Sequence, residues 1–238
     1  MSCPLCYGKQ TLSLSKENGT LKYNCFRASC GIHGVINGIR TIDDIRSIIS
    51  KDIQPDIPAF EIPWYFTSIA NHENAFNYLK RYHCLEAYYD RACNVLFDPR
   101  LNRVVYTIRR RLDGVCVDAV GRSLGHKITP KWLRYNNSQY PFIVGTYDTA
   151  VIVEDCTSAC AVYAAGYSGV AFLGTNLVGS YISELKQFPE CIIALDPDAA
   201  SKSLKIARKI EAYTNVKVRF IKNDLKYYNK DEIREQLK

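Results

Sequence analysis

Two sets of residues in this chain have types and spacings suited to metal chemistry. The first is carboxylic: Glu154 follows Ala150-Val151-Ile152-Val153, and Asp196-Pro197-Asp198 follows Cys191-Ile192-Ile193-Ala194-Leu195. Short, non-periodic apolar runs of this kind read as strands buried on both faces, and ligands collect where such strands of a parallel sheet end. Carboxylate oxygens converging there suit a hard divalent cation, Mg2+ or Mn2+, and with it phosphoryl or nucleotidyl transfer. In an extended segment alternate residues share a face, which would aim Asp196 and Asp198 the same way. Asp-x-Asp alone is a weak pattern, common in surface turns; its place after a buried strand gives it weight. The second set is thiol: Cys3-Pro4-Leu5-Cys6 and Cys25-Phe26-Arg27-Ala28-Ser29-Cys30. Two close cysteine pairs about twenty residues apart match a tetrahedral zinc site, although the second pair is wider than the commonest CxxC. His33 is a further donor nearby, better suited to solvent or nucleic acid once four thiols are present.

The elements that must position these groups can be read from the surrounding pattern. Leu12, Leu14, Leu21 and Tyr23 alternate on either side of Glu17-Asn18-Gly19, a hairpin signal. A unit this small cannot hold itself together by burial, so four thiolates on zinc would supply the missing folding energy, as in a zinc ribbon. Thr41 to Lys51 has helical spacing of isoleucines, and Gln54-Pro55-Asp56-Ile57-Pro58 with Pro63 then reads as a linker. Asn74 to Asp90 reads as one helix with Phe76, Leu79, Tyr82 and Leu85 on a core-facing stripe. Val104 to Ile108 and Val115 to Val120 read as strands joined through Asp113-Gly114. From Val151 onward strand and helix alternate: strands at Val151–Glu154, Val170–Leu173, Cys191–Leu195 and Val216–Ile221, helices at Thr157–Ala165, Tyr181–Phe188 and Ala199–Tyr213. That alternation implies parallel pairing with right-handed crossovers. The helix after Glu154 is built from small residues and can lie close to the sheet.

Composition limits the classes open to the chain. With 238 residues and 47% hydrophobic content it can bury a sizeable core. No apolar run reaches the roughly 18 residues of a membrane span, and no signal-peptide core precedes the cysteines, so a soluble protein of the cytoplasm is expected. Ten scattered cysteines then favour free thiols and metal ligation over disulfides. No G-x-x-x-x-G-K-[ST] loop is present, which excludes a P-loop motor in this sequence. The formal net charge is +7, and most of it lies between Asp98 and Tyr135, where nine basic and three acidic residues give +6. Arg109, Arg110 and Arg111 could be a solvated loop; beside Arg122, Lys131-Trp132 and Arg134-Tyr135 they read better as a phosphate-binding track with an aromatic stacking surface.

Taken together, these residues resemble the DnaG-type primases, including the primase half of phage primase-helicases. Cys3-Pro4-Leu5-Cys6, Leu12-Ser13-Leu14 and Tyr23-Asn24-Cys25-Phe26 are similar to that family's zinc ribbon. Asn102-Arg103-Val104-Val105-Tyr106-Thr107-Ile108, Gly121-Arg122 and Pro130-Lys131-Trp132-Leu133-Arg134-Tyr135 resemble its basic subdomain. Val151 to Glu154, Phe172-Leu173-Gly174-Thr175 and Ala194-Leu195-Asp196-Pro197-Asp198-Ala199-Ala200 resemble its Toprim motifs, with Asp224 similar to a weaker trailing acid. The sequence departs from the pattern in the two extra residues between Cys25 and Cys30, in Ala200 where glycine is usual, and in Asp155 where glycine commonly follows the glutamate.

The resemblance implies an α/β chain, α+β overall: a zinc ribbon over 1–38, a linker over 39–63, a basic subdomain over 64–145 and a Toprim domain over 146–238. It implies synthesis of short RNA primers on a single-stranded DNA template from ribonucleoside triphosphates. Structural zinc would sit on Cys3, Cys6, Cys25 and Cys30. Catalytic Mg2+ or Mn2+ would sit on Glu154, Asp196 and Asp198, with Asp224 as a further candidate. Arg109, Arg110, Arg122, Lys131 and Arg134 would contact template and nucleotide phosphates, and Tyr23, Phe26, Arg27 or His33 would read the template. With no helicase domain in the sequence, a separate replicative helicase is the expected partner, in the cytoplasm or, for a virus, in that of its host. Two other readings use the same residues: a Toprim nuclease whose acids activate water, and a zinc-ribbon DNA-binding scaffold without catalysis.

Overall fold

The computed structural model describes residues 3, 9–17, 20–27, 30, 32–37, 58–136, 138–174, 177 and 179–238. The chain separates into two compact units, 1–57 and 58–238.

In the first unit, strands β1 (Leu12–Glu17), β2 (Thr20–Cys25) and β3 (His33–Asn37) form an antiparallel sheet in that order. Glu17 pairs with Thr20, which closes the expected hairpin, and β3 adds a strand that the alternation did not announce. Leu12, Leu21 and Tyr23 gather with Cys3 and Cys25 into one small core. Tyr23 is therefore corrected as a template contact. Its ring covers Gly34, where an added Cβ would lie 2.4 Å from the Tyr23 hydroxyl, and only glycine admits that approach. Phe26, Arg27 and His33 are exposed. Cys6, the expected 41–51 helix and the linker up to residue 57 lie outside the described residues.

The second unit contains two five-stranded sheets. The first is antiparallel, with β4 (Thr67–Ser68), β5 (Val95–Asp98), β6 (Arg103–Arg109), β7 (Cys116–Ser123) and β8 (Trp132–Arg134) in sequential order. The single helix expected over 74–90 is instead two, Glu73–Arg81 and Leu85–Tyr89. His83 adopts a left-handed φ of 58° between them, which no α-helix accommodates. The buried positions are Ala75, Leu79, Cys84 and Ala87; Phe76 and Tyr82 are only half-buried, so the aromatic stripe is not the core face.

The second sheet has the order β13-β12-β10-β11-β9. Its central strand β10 (Thr149–Val153) pairs in parallel with β11 (Ser168–Ala171) and β12 (Glu190–Ile193), and β12 pairs in parallel with β13 (Asn215–Val218). The edge strand β9 (Phe142–Val144) is antiparallel. It comes from the segment that the sequence reading gives to the basic part, so the two sheets share chain as well as packing. Tyr106 of β6 meets Phe142 of β9 edge to face at 5.6 Å, and Tyr78 hydrogen-bonds Thr157 at 2.9 Å. The small-residue helix Cys156–Ala164 lies so close that a Cβ on Gly169 would sit 2.1 Å from the Ala159 carbonyl oxygen. Cys84, Cys93, Cys116, Cys156, Cys160 and Cys191 carry free thiols, and among the described residues no helix is long and apolar enough to cross a membrane.

Candidate active site

The parallel strands deliver the acids to one edge. Glu154 is the first residue beyond β10, Asp196 follows β12 by three positions, and Asp224 follows β13 by six, all on the C-terminal side of adjacent strands. Ladder bonds continue past the strands proper, Ala194 N–H to the Ile152 carbonyl at 2.9 Å and Leu173 N–H to that of Glu154 at 3.0 Å, so the backbone under these carboxylates is fixed. The extended Asp-x-Asp geometry is corrected: Pro197 opens a 3-10 turn over Pro197–Ala199, as its fixed φ favours at a first helical position. Asp196 remains half-buried before the turn, while Asp198 sits within it and is exposed.

A cavity of about 400 Å³ joins this edge to the antiparallel sheet. Glu154, Asp155, Asp196, Asp224 and Lys226 line one side, Val120, Lys131, Trp132 and Arg134 the other, and Leu173 with Gly174 completes the wall. Cross-strand pairing sets the basic side: Arg122 is opposite Trp132 and Val120 opposite Arg134, so these four share one face. Leu173 has a φ of 54°, costly for a branched side chain, and turns the chain out of β11 beside Glu154.

The electrostatics of the acidic wall are those of negative charge in excess. Burial raises the Glu154 pKa; Lys202 opposes this, and Asp198, Asp224 and Asp155 add to it. Burial, a hydrogen bond shared with Asp224 and the charges of Asp224 and Glu154 push Asp196 up to about 8. For Asp224 burial acts upward, but its hydrogen bonds to Asp196 and Lys226 prevail and lower it. Asp155, a sequence departure, has two tasks. It caps the Cys156–Ala164 helix by accepting from Ser158 N–H at 2.9 Å, and its other oxygen accepts from Lys226 Nζ at 2.8 Å. Lys226 also donates to Asp224. Burial alone would lower its pKa; the Asp155 charge and the two hydrogen bonds outweigh that and raise it.

The basic run does not form one track. Arg103 is buried and donates to the carbonyls of Gly121, Pro130 and Lys131, a structural role. Arg134 lines the cavity but is engaged by the buried Asp118 at 3.1 Å and the Tyr140 carbonyl at 2.9 Å. Arg122 lies 5.4 Å over Trp132, and its Nε is buried with no hydrogen-bond partner. Lys131 is exposed at the cavity mouth. Arg109 and Arg110 stand at the far end of β6, about 20 Å from Arg103 at roughly 3.4 Å per residue. They line a second cavity of about 400 Å³ with Arg91, Arg111, Asn94 and Tyr163, apart from the acids. There Arg110 is clamped by Asp113 and Arg109 donates to the Gly114 carbonyl at 2.9 Å.

In the first unit, the sulfurs of Cys3, Cys25 and Cys30 all lie within 4.8 Å of one another, a three-thiol cluster that suits a thiolate-bound zinc. No comparable three-ligand cluster forms among the described carboxylates.

The fold has a counterpart among solved structures. The chain is similar to the crystal structure of the Aquifex aeolicus primase, zinc-binding and RNA polymerase domains, with a TM-score of 0.56 and 18% identity over 94% of this chain and 80% of that one. The likeness is one of fold. No protein-family model matches the sequence, and no curated protein does.

Residues of the acidic wall that the sequence reading missed are Lys226 and, as its partner, Asp155. The signal was present in Asp224-Leu225-Lys226, where a cation stands at the same spacing from an acid as Asp198 from Asp196.

Proposed function

We propose that the chain is a primase, making short RNA primers on single-stranded DNA by template-directed nucleotidyl transfer. The observation that carries this reading is the cavity in which the acidic edge of a parallel sheet faces Lys131, Trp132 and Arg134 of an antiparallel one, in a fold similar to a known primase. On this reading the 1–38 ribbon and 39–63 linker precede a basic subdomain over 64–145 and a Toprim domain over 146–238. The acidic donor set fits a divalent cation: it is all oxygen, half-buried at Glu154, Asp196 and Asp224, and in excess of the one cation, Lys226, that lines the same wall. Glu154, Asp196 and Asp198, with Asp224 as a further candidate, would hold Mg2+ or Mn2+, which when bound neutralises the nucleotide phosphates and eases loss of the attacking hydroxyl proton.

The protein's own part is positioning. Trp132 offers a stacking face to a base, Lys131 a point charge at the mouth, and Arg122, over the Trp132 ring on the same sheet face, a guanidinium for phosphate. Arg109 and Arg110, in the second cavity, would hold phosphates of the strand away from the acids. Cys3, Cys25 and Cys30, with Cys6 as the fourth ligand, would bind zinc, and Phe26, Arg27 and His33 would read the template. A separate replicative helicase would deliver single-stranded DNA.

The test supplies single-stranded DNA templates, labelled ribonucleotides and Mg2+ or Mn2+. De novo oligoribonucleotides that disappear in Asp196→Asn, with DNA binding retained, are the expected result. Degradation of the template without synthesis would establish the nuclease reading instead, and binding with neither activity, helicase included, the scaffold reading.

A further inference from the structure

The acidic wall contains a cation of its own. Lys226 is 8% exposed, and its ammonium sits between Asp155 and Asp224, both of which line the cavity. Its main chain is fixed in the 3-10 turn Leu225–Tyr227, with Leu225 buried and the Tyr227 ring against Tyr82 at 5.8 Å. Asp155 is equally fixed, because its other oxygen caps the Cys156–Ala164 helix. The ammonium is therefore held as a bound ion would be, and it keeps one N–H beyond the two given to Asp155 and Asp224. A buried ion pair is weak evidence of a stabilising role, since apolar packing often replaces one without loss.

We propose that the Lys226 ammonium occupies one cation place of the acidic site, so that the Glu154 and Asp196 side takes a single divalent ion. Four carboxylates line the cavity, and Lys226 engages two of them, Asp155 and Asp224. A compact point charge can do this where a guanidinium would not fit as closely. The uncommitted N–H is then available to a phosphate oxygen of the incoming nucleotide. The inference rests on the reading of this cavity as a divalent-cation site.

Mn2+ titration of the zinc-loaded full-length chain, with free Mn2+ followed by electron paramagnetic resonance, tests both separately. Expected are one Mn2+ per chain, lost in Asp196→Asn, and either a second Mn2+ or at least about tenfold tighter binding in Lys226→Met, where the competing charge is gone. Lys226→Arg should still take one. Two ions on the unaltered chain would overturn the inference and leave the cation site standing; none would overturn both. One ion at unchanged affinity in Lys226→Met, whatever its melting temperature, would reduce Lys226 to a staple between the turn and the helix. Should Lys226→Met fail to fold, Lys226→Gln carries the same comparison.

Discussion

The thiol cluster of the first unit and the carboxylate edge of the second are both suited to metal, yet they are built in opposite ways. Cys3, Cys25 and Cys30 bring their sulfurs within 4.8 Å of one another and belong to the core they would stabilise, a cluster with little else than Leu12, Leu21 and Tyr23 in it. Glu154, Asp196 and Asp224 hang from strands that are buried whatever the carboxylates do: Val151, Ile152 and Ile193 are fully covered. The thiol site lies within the core of its unit, whereas the acidic site stands at the ends of strands whose own apolar side chains are buried. The acids accordingly remain in electrostatic conflict, with burial and the nearby Asp224 and Glu154 pushing the Asp196 pKa up, because the surrounding core can bear the cost.

This contrast can be broken most directly at the thiols. Cys25→Ser should release zinc and abolish hydrogen-exchange protection in β1 and β2, while the second unit melts as before; the free energy at stake is on the order of 10 kcal/mol. Retained protection in β2 would mean that the small apolar core suffices alone. At the acidic edge the expectation reverses: Asp196→Asn should lower primer synthesis by roughly 100- to 1000-fold with the melting temperature held or raised. A drop in both would make the carboxylate structural.

Gly169→Ala probes the sheet that carries the acids. The new Cβ collides with the Ala159 backbone, so a loss of about 1–3 kcal/mol in urea unfolding of the second unit is expected, with the first unit unaffected. The smallest effect is on pH dependence. An acid with a higher pKa folded than unfolded stabilises the fold while protonated, and that stabilisation fades as pH rises from its unfolded value of about 4 towards 8. In magnesium-free buffer the second unit should lose roughly 1–2 kcal/mol between pH 5 and 8, after allowance for solvent screening of a half-buried group. Asp196→Asn should flatten that slope; an unchanged slope would assign it to other carboxylates, such as the buried Glu184.

Local pattern and long-range pairing differed in how far they could be read from the chain. The alternation of Leu12, Leu14, Leu21 and Tyr23 announced the β1–β2 hairpin, and the apolar runs before Glu154 and Asp196 announced β10 and β12, because periodicity and burial are written residue by residue. The helix over 74–90 was misread at His83, where a left-handed φ depends on what the following turn packs against. Tyr23 was misread as a contact because aromatic character does not tell whether a ring covers Gly34 or faces solvent. Of the basic run, charge alone could not separate Arg103, buried on three carbonyls, from Lys131, open at the cavity.

Residue type and spacing were enough to specify the ligand chemistries, four cysteines in two pairs and acids behind buried strands, since softness and charge belong to the side chain itself. Tertiary structure decided which of these groups meet. It brought Asp224 to Asp196 and Lys226 to Asp155 across 71 positions of sequence, set Lys131 and Trp132 across the cavity from them, and carried Arg109 and Arg110 to another cavity. The physical reason is that strand order and register, which no local window contains, determine which strand ends share an edge and which strand faces look across at it.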